Sequence, residues 1–259
     1  MLEDVYQPDT INKWMWDFAV SPRTSPLENL YVENSYIDSK SLAQMIGSVK
    51  ALRLFCFDFD NSVRNGAYTL YDDDIPELHY PTIATALLEH KDSLEQLSIC
   101  DNADPELNEI FDIKAGTLGS LRTLHKVRVL DIDIDCFGGI DVEYDDIVGT
   151  LDTTIRPAML ADNLPSGLEQ LDINLAEDEN SDYEVFWVSS LEMLAPLLKT
   201  RLPALKEVGV SRKGLGEVEI EEYLVRLQER FAKEGVKLTI AKGSWWDCDA
   251  GCGGDVLIS

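Results

Sequence analysis

The chain has 259 residues and a mass of 29.0 kDa, with 48 acidic side chains against 22 basic ones, a formal charge of −26 and 45% hydrophobic residues. That length allows one or two domains and a sizeable core, and so much apolar content excludes a disordered acidic chain. An acidic coat with no visible basic patch also excludes DNA, RNA and anionic membrane surfaces as general partners, which leaves a cationic partner as the better match.

The start, MLEDVYQPDTINKW, lacks the basic opening and apolar stretch of a secretory signal, and no run of about 18 apolar residues follows, so a cytoplasmic or nuclear protein is expected. Residues 1–26 are expected to form an N-terminal capping segment, with one amphipathic helix over Asp9 to Val20. From Leu27 onward a six-residue phrase recurs, apolar-x-x-apolar-x-apolar. It reads LENLYV from Leu27, VKALRL from Val49, LEQLSI from Leu94, VRVLDI from Val127, LEQLDI from Leu168 and LKEVGV from Leu205, with a degenerate copy, GVKLTI, from Gly235. Helical spacing separates the copies. Leu42, Met45 and Ile46 follow Ser39, while Ile83, Leu87 and Leu88 follow Pro81. Ile155, Met159 and Leu160 precede Pro165, and Leu191, Leu194 and Leu198 precede Pro203. The clearest predicted helix places Ile220, Tyr223, Leu224, Leu227 and Phe231 on one face, with acids at its start and bases toward its end before Gly235. Residues 242–259, rich in glycine and carrying Trp245 and Trp246, have neither period and are expected to be a flexible tail.

A short strand followed by a helix, many times over, predicts a solenoid, because one unit cannot cover its own apolar face. The expected fold is therefore α/β: a leucine-rich-repeat solenoid over 27–241, a curved parallel sheet with outer helices. Measured at the fourth phrase position the steps are 22, 45, 33, 41, 37 and 30 residues, so the repeats are long and irregular. A doubly wound domain would bury its strands on both faces and give continuous apolar runs. Position five here is mostly polar: Tyr31, Arg53, Ser98, Asp131, Asp172, Gly209 and Thr239.

The segments HKDSLEQLSI (His90 to Ile99), GSLRTLHKVRVLDID (Gly119 to Asp133) and LADNLPSGLEQLDI (Leu160 to Ile173) resemble the C-terminal leucine-rich regions of fungal F-box and leucine-rich-repeat proteins. The likeness spans roughly residues 27 to 240. It implies a substrate-recruiting arm of a ubiquitin ligase, with ligase components as partners, although the F-box itself is not seen.

Because side chains alternate along a strand, positions three, five and seven should face away from the helices. The expected partner-binding residues on this concave face are Tyr31, Arg53, Phe55, Ser98, Asp131, Asp133, Asp172 and Asn174. An aromatic end with one arginine and an acidic middle suit a protein or peptide ligand, preferably a basic one. An acidic histone-chaperone-like protein is the alternative. The acid-dense loops at 72–74, 131–146 and 177–184 are expected to be extended rather than ligand-filled.

An enzyme is not expected. His79, His90 and His125 are scattered and read as surface or capping residues. Gly214-Leu215-Gly216 resembles a dinucleotide loop, but Glu219 stands where the third glycine belongs. Carboxylates working as an acid–base pair remain a remote alternative. No metal or cofactor is expected: Asp131, Asp133 and Asp135 open like a calcium loop, but Cys136 and Val142 replace its glycine and glutamate, and Cys248 and Cys252 lack two further zinc ligands. Five irregularly spaced cysteines argue against a disulfide framework.

Overall fold

The computed structural model describes residues 2–3, 22–35, 37–59, 78–101, 114–115, 117–133, 136, 158–175, 191–212 and 220–242. The expected helix at Asp9–Val20, the tail beyond Lys242 and most of the acidic loops lie outside these residues. The chain is α/β. Its main sheet is entirely parallel, with eight strands whose spatial order follows the chain: β1 (Leu2–Glu3), β2 (Asn29–Ser35), β3 (Leu54–Phe59), β5 (Gln96–Asp101), β7 (Val129–Asp133), β8 (Gln170–Leu175), β9 (Glu207–Arg212) and β10 (Lys237–Lys242). The two-residue strands β4 (Leu78–His79) and β6 (Lys114–Ala115) pair in a separate small sheet. Among the described residues the helices between the strands include α1 (Ser39–Ser48), α2 (Tyr80–Leu88), α3 (Ala158–Asn163), α4 (Leu198–Arg201) and α5 (Ile220–Lys233). Among the described residues no helix is long and apolar enough to cross a membrane.

The phrase positions become rows across the sheet. Row four is Leu30, Phe55, Leu97, Leu130, Leu171, Val208 and Leu238, each opposite the next in register, and row six repeats the pattern from Val32 to Ile240. Both rows enter one core with Leu42 and Ile46 of α1, Ile83 and Leu87 of α2, Leu198 of α4, and Leu227 and Phe231 of α5. None of the residues in rows three, five or seven belongs to that core. Each fully buried Leu, Ile, Val or Phe contributes about 1.5–3 kcal/mol relative to exposure, so the two rows supply much of the drive for folding.

The second copy needs a correction. Its expected start at Val49 gives way to Leu52, since Phe55 lies between Leu30 and Leu97. Two fits of the phrase overlap here, three residues apart, and helix α1 decides between them: Val49 is its C-cap, and its N–H bonds to the Ile46 carbonyl. The first two steps become 25 and 42 residues, from Leu30 to Phe55 and from Phe55 to Leu97. Phe55, Phe57 and Phe59 all point into the core, with the first two rings stacked at 6.4 Å.

Local chemistry fixes the helices. The Asp38 carboxylate caps α1, accepting from the Lys40 and Ser41 N–H groups at 2.9 Å. Pro81 opens α2, where a missing N–H costs nothing. The helical segment expected around Leu191–Leu198 tightens to a 3-10 turn at Ala195–Leu197 because Pro196 has no N–H to donate. His90, expected at the surface, is buried after α2. Its Nδ1 accepts the Leu52 N–H at 3.3 Å, so Nε2 carries the proton and donates to the Ile46 carbonyl at 3.0 Å.

Row two joins successive copies through the backbone. The Arg53 carbonyl accepts the N–H groups of Glu95 and Gln96, that of Glu95 accepts Arg128 and Val129, that of Arg128 accepts Glu169 and Gln170, and that of Glu169 accepts Lys206 and Glu207. Val127, Leu168 and Leu205 each close a three-residue turn onto Leu124, Pro165 and Leu202. The same backbone geometry thus delivers each strand to its neighbour.

Candidate binding face

The face away from the core changes along the strands. Row three is exposed or half-buried, row five is mostly half-buried, and row seven is closed where its side chains are described: Asp58, Cys100, Asp133, Asn174 and Ser211 are all buried, with Asp133 and Asn174 at 9% exposure. Polar groups in such a row need partners. The centre supplies them through one network. Ser98 Oγ donates to Asp131 Oδ2 and Asn174 Nδ2 to Asp131 Oδ1, both at 3.0 Å, while Ser211 Oγ donates to Asn174 Oδ1. The Cys100 thiol lies 3.8 Å from Asp131 Oδ2 and 3.5 Å from Asn174 Nδ2. Four adjacent parallel strands, β5, β7, β8 and β9, are tied together by side chains over the face that lacks the core.

Asp131 and Asp172 sit directly opposite each other on β7 and β8, where neighbouring strands are about 4.8 Å apart. Burial, and secondarily the Asp172 charge, push the Asp131 carboxyl up to about 6 despite the hydrogen bonds from Ser98 and Asn174. Asp172 is also raised, mainly by burial and further by Glu207, while its hydrogen bond from Gln170 Nε2 at 2.7 Å holds it down. Burial beside these carboxylates raises the Cys100 thiol as well. The pair therefore holds charge at neutral pH and sheds part of it on mild acidification.

Of the residues expected at the site, Ser98, Asp131, Asp172 and Asn174 come together. Asp133 is opposite Asn174 but buried in row seven. Tyr31 lies half-buried in row five, two strands from Ser98. Two placements are corrected, both through the shifted second copy. Phe55 is fully buried in row four, and Asp58, opposite Cys100, stands in the row-seven place expected for it. Arg53 lies in row two, ahead of the strand, and is paired to Glu95 at 3.0 Å and Glu28 at 3.5 Å.

Row two itself was missed by the sequence reading, which followed only the apolar and odd positions. It reads Glu28, Arg53, Glu95, Arg128, Glu169 and Lys206, alternating in sign from β2 to β9. The ion pairs run along it: besides those of Arg53, Arg128 is 3.8 Å from Glu169, and Lys206 also pairs with Glu169. Lys237 meets Glu207 at 2.7 Å in row three. A shallow groove of about 380 Å³ runs over rows two and three of β5, β7, β8 and β9. Among the described residues no three His, Cys, Asp or Glu side chains converge as a metal cage requires.

No protein-family model matches the chain, and neither a curated protein nor a solved structure matches it.

Proposed function

We propose that the chain is a leucine-rich-repeat solenoid acting as a binding module rather than an enzyme, and that it takes a basic protein segment on the face away from the helices, centred on Asp131 and Asp172. The observation that carries this reading is the placement of two carboxylates side by side on adjacent strands, oriented by Ser98, Asn174 and Gln170, beside a groove whose three glutamates outnumber its two bases, Arg128 and Lys206. An ammonium or guanidinium group there would offset the burial that chiefly raises both carboxyls, and the charges of Asp172 and Glu207 that add to it. The register-matched rows and the repeated backbone linkage support a solenoid of this type. The likeness to fungal F-box and leucine-rich-repeat proteins supports recruitment of a partner, with a ubiquitin-ligase substrate arm as the specific role.

A fluorescent lysine- and arginine-rich peptide tests the reading by anisotropy at low and high salt. Asp172→Asn should weaken its binding about tenfold, whereas Glu229→Gln, an exposed change on α5, should not. Equal losses for both would mean that the peptide senses only net charge, and the site would fall.

A further inference from the structure

Row two has a symmetry that its internal ion pairs do not use. Its six charged residues, Glu28, Arg53, Glu95, Arg128, Glu169 and Lys206, alternate in sign and are even in number, while the last copy places the buried, uncharged Val236 beyond them. Reversing such a series gives the opposite sign at every place. A twofold axis midway between Glu95 and Arg128 therefore sets Glu28 against Lys206 of a second copy, Arg53 against Glu169, and Glu95 against Arg128, with each contact made twice. An isologous interface demands this kind of self-complementarity.

We propose that row two is an interface through which two copies of this chain associate about a twofold axis. The side chains are accessible for it: Arg53 is 52% exposed, Arg128 68% and Lys206 73%. Arg128, next to the axis, is the most loosely held of the bases, with its nearest carboxylate 3.8 Å away. The groove over rows two and three gives the second copy's side chains room to enter. Charge also selects this strip. On a molecule with a formal charge of −26, approach of a second copy is repelled wherever acids dominate, whereas three acids and three bases here cancel.

Five strand steps make the strip about 24 Å long. At a width of about 10 Å it buries far less than the roughly 800 Å² per partner of a stable interface. The association is therefore weak, governed by charge and sensitive to salt.

Sedimentation velocity on the full chain tests the proposal. The wild type should shift toward dimer at about 100 mM salt, where a Debye length of about 10 Å screens the charge of −26 between the two bodies but not contacts within the strip, and return to monomer at about 1 M. Glu95→Arg and Arg128→Glu should each remain monomeric alone, because each sets like charges together across the axis. An equimolar mixture of the two should restore the dimer, since each variant then faces its complement. Circular dichroism confirms that both variants are folded; should either fail, the pair Glu95→Gln and Arg128→Gln, each expected to weaken self-association at least threefold, takes its place. A wild type that stays monomeric at about 100 mM salt overturns the proposal, as do single variants that dimerise like the wild type or a mixture that regains nothing.

Discussion

Row two, just ahead of the strands, and row seven, toward their far ends, cross the same sheet with the same spacing, yet they manage charge in opposite ways. Row two is exposed and alternates in sign, so each group meets its counter-ion on the next strand while water screens the rest. Toward row seven the acids sit beside other acids and away from water, so hydrogen bonds from Ser98, Asn174 and Gln170, together with raised carboxyl pKa values, take the place of counter-ions. A repeat therefore does not impose one electrostatic solution on all its positions. Burial decides which is available: exposed pairs contribute little and tolerate loss, whereas buried polar groups are expensive to leave unmatched.

The comparison breaks most severely at Asn174. Replacing it with alanine takes a donor from the buried Asp131 carboxylate and an acceptor from Ser211. Unfolding in urea at neutral pH should show a loss of about 3 kcal/mol. A change near zero would mean that the network does not hold the four strands together.

Asp131→Asn should have a smaller effect, dependent on pH. The folded pKa is raised to about 6 from 3.8, so ionisation in the folded state costs stability above pH 6, and this cost disappears as the pH falls from about 6 toward about 4. The asparagine variant should be more stable than wild type by about 1–2 kcal/mol above pH 7, and the difference should vanish near pH 4. His90 contributes with the opposite slope. Burial lowers its pKa, so the stability of its neutral, doubly hydrogen-bonded form is fully present above pH 6.5 and is lost as the pH falls through the lowered value. Matched denaturation series from pH 4 to 8 for wild type, Asp131→Asn and His90→Gln separate the two slopes; a pH-independent difference between wild type and Asp131→Asn would show that Asp131 is not the titrating group.

The smallest effect belongs to row two. Arg53→Gln removes two exposed ion pairs, yet the thermal midpoint should not move measurably. A resolvable fall would make the exposed ladder structural and erase its contrast with row seven.

Much of this arrangement was legible in the sequence, for identifiable reasons. Six of the eight strands of the main sheet could be placed because Leu, Ile and Val at positions four and six leave one workable register, whereas β1 carries no copy of the phrase. At Val49 the chain offers two, since Val-x-x-Leu-x-Leu overlaps Leu-x-x-Phe-x-Phe, and only the end of α1 resolves them. That slip carried Phe55 to the wrong face. The Asp131 and Asp172 juxtaposition followed from register alone. The closure of row seven did not, because alternation says which way a side chain points and nothing about what covers it. His90 was missed for a related reason: its partners are backbone groups of Ile46 and Leu52, far away in sequence. The alternation of row two, by contrast, was available letter by letter.

That alternation gives the array a parity. Removing the unit that carries Glu95 would bring Arg53 beside Arg128, and the loss or duplication of any single unit between the two ends likewise sets like charges on neighbouring strands. Removing or duplicating two consecutive units leaves the order of signs intact. A version shortened by two units rather than one therefore keeps the alternation, and with it the self-complementary order of the strip.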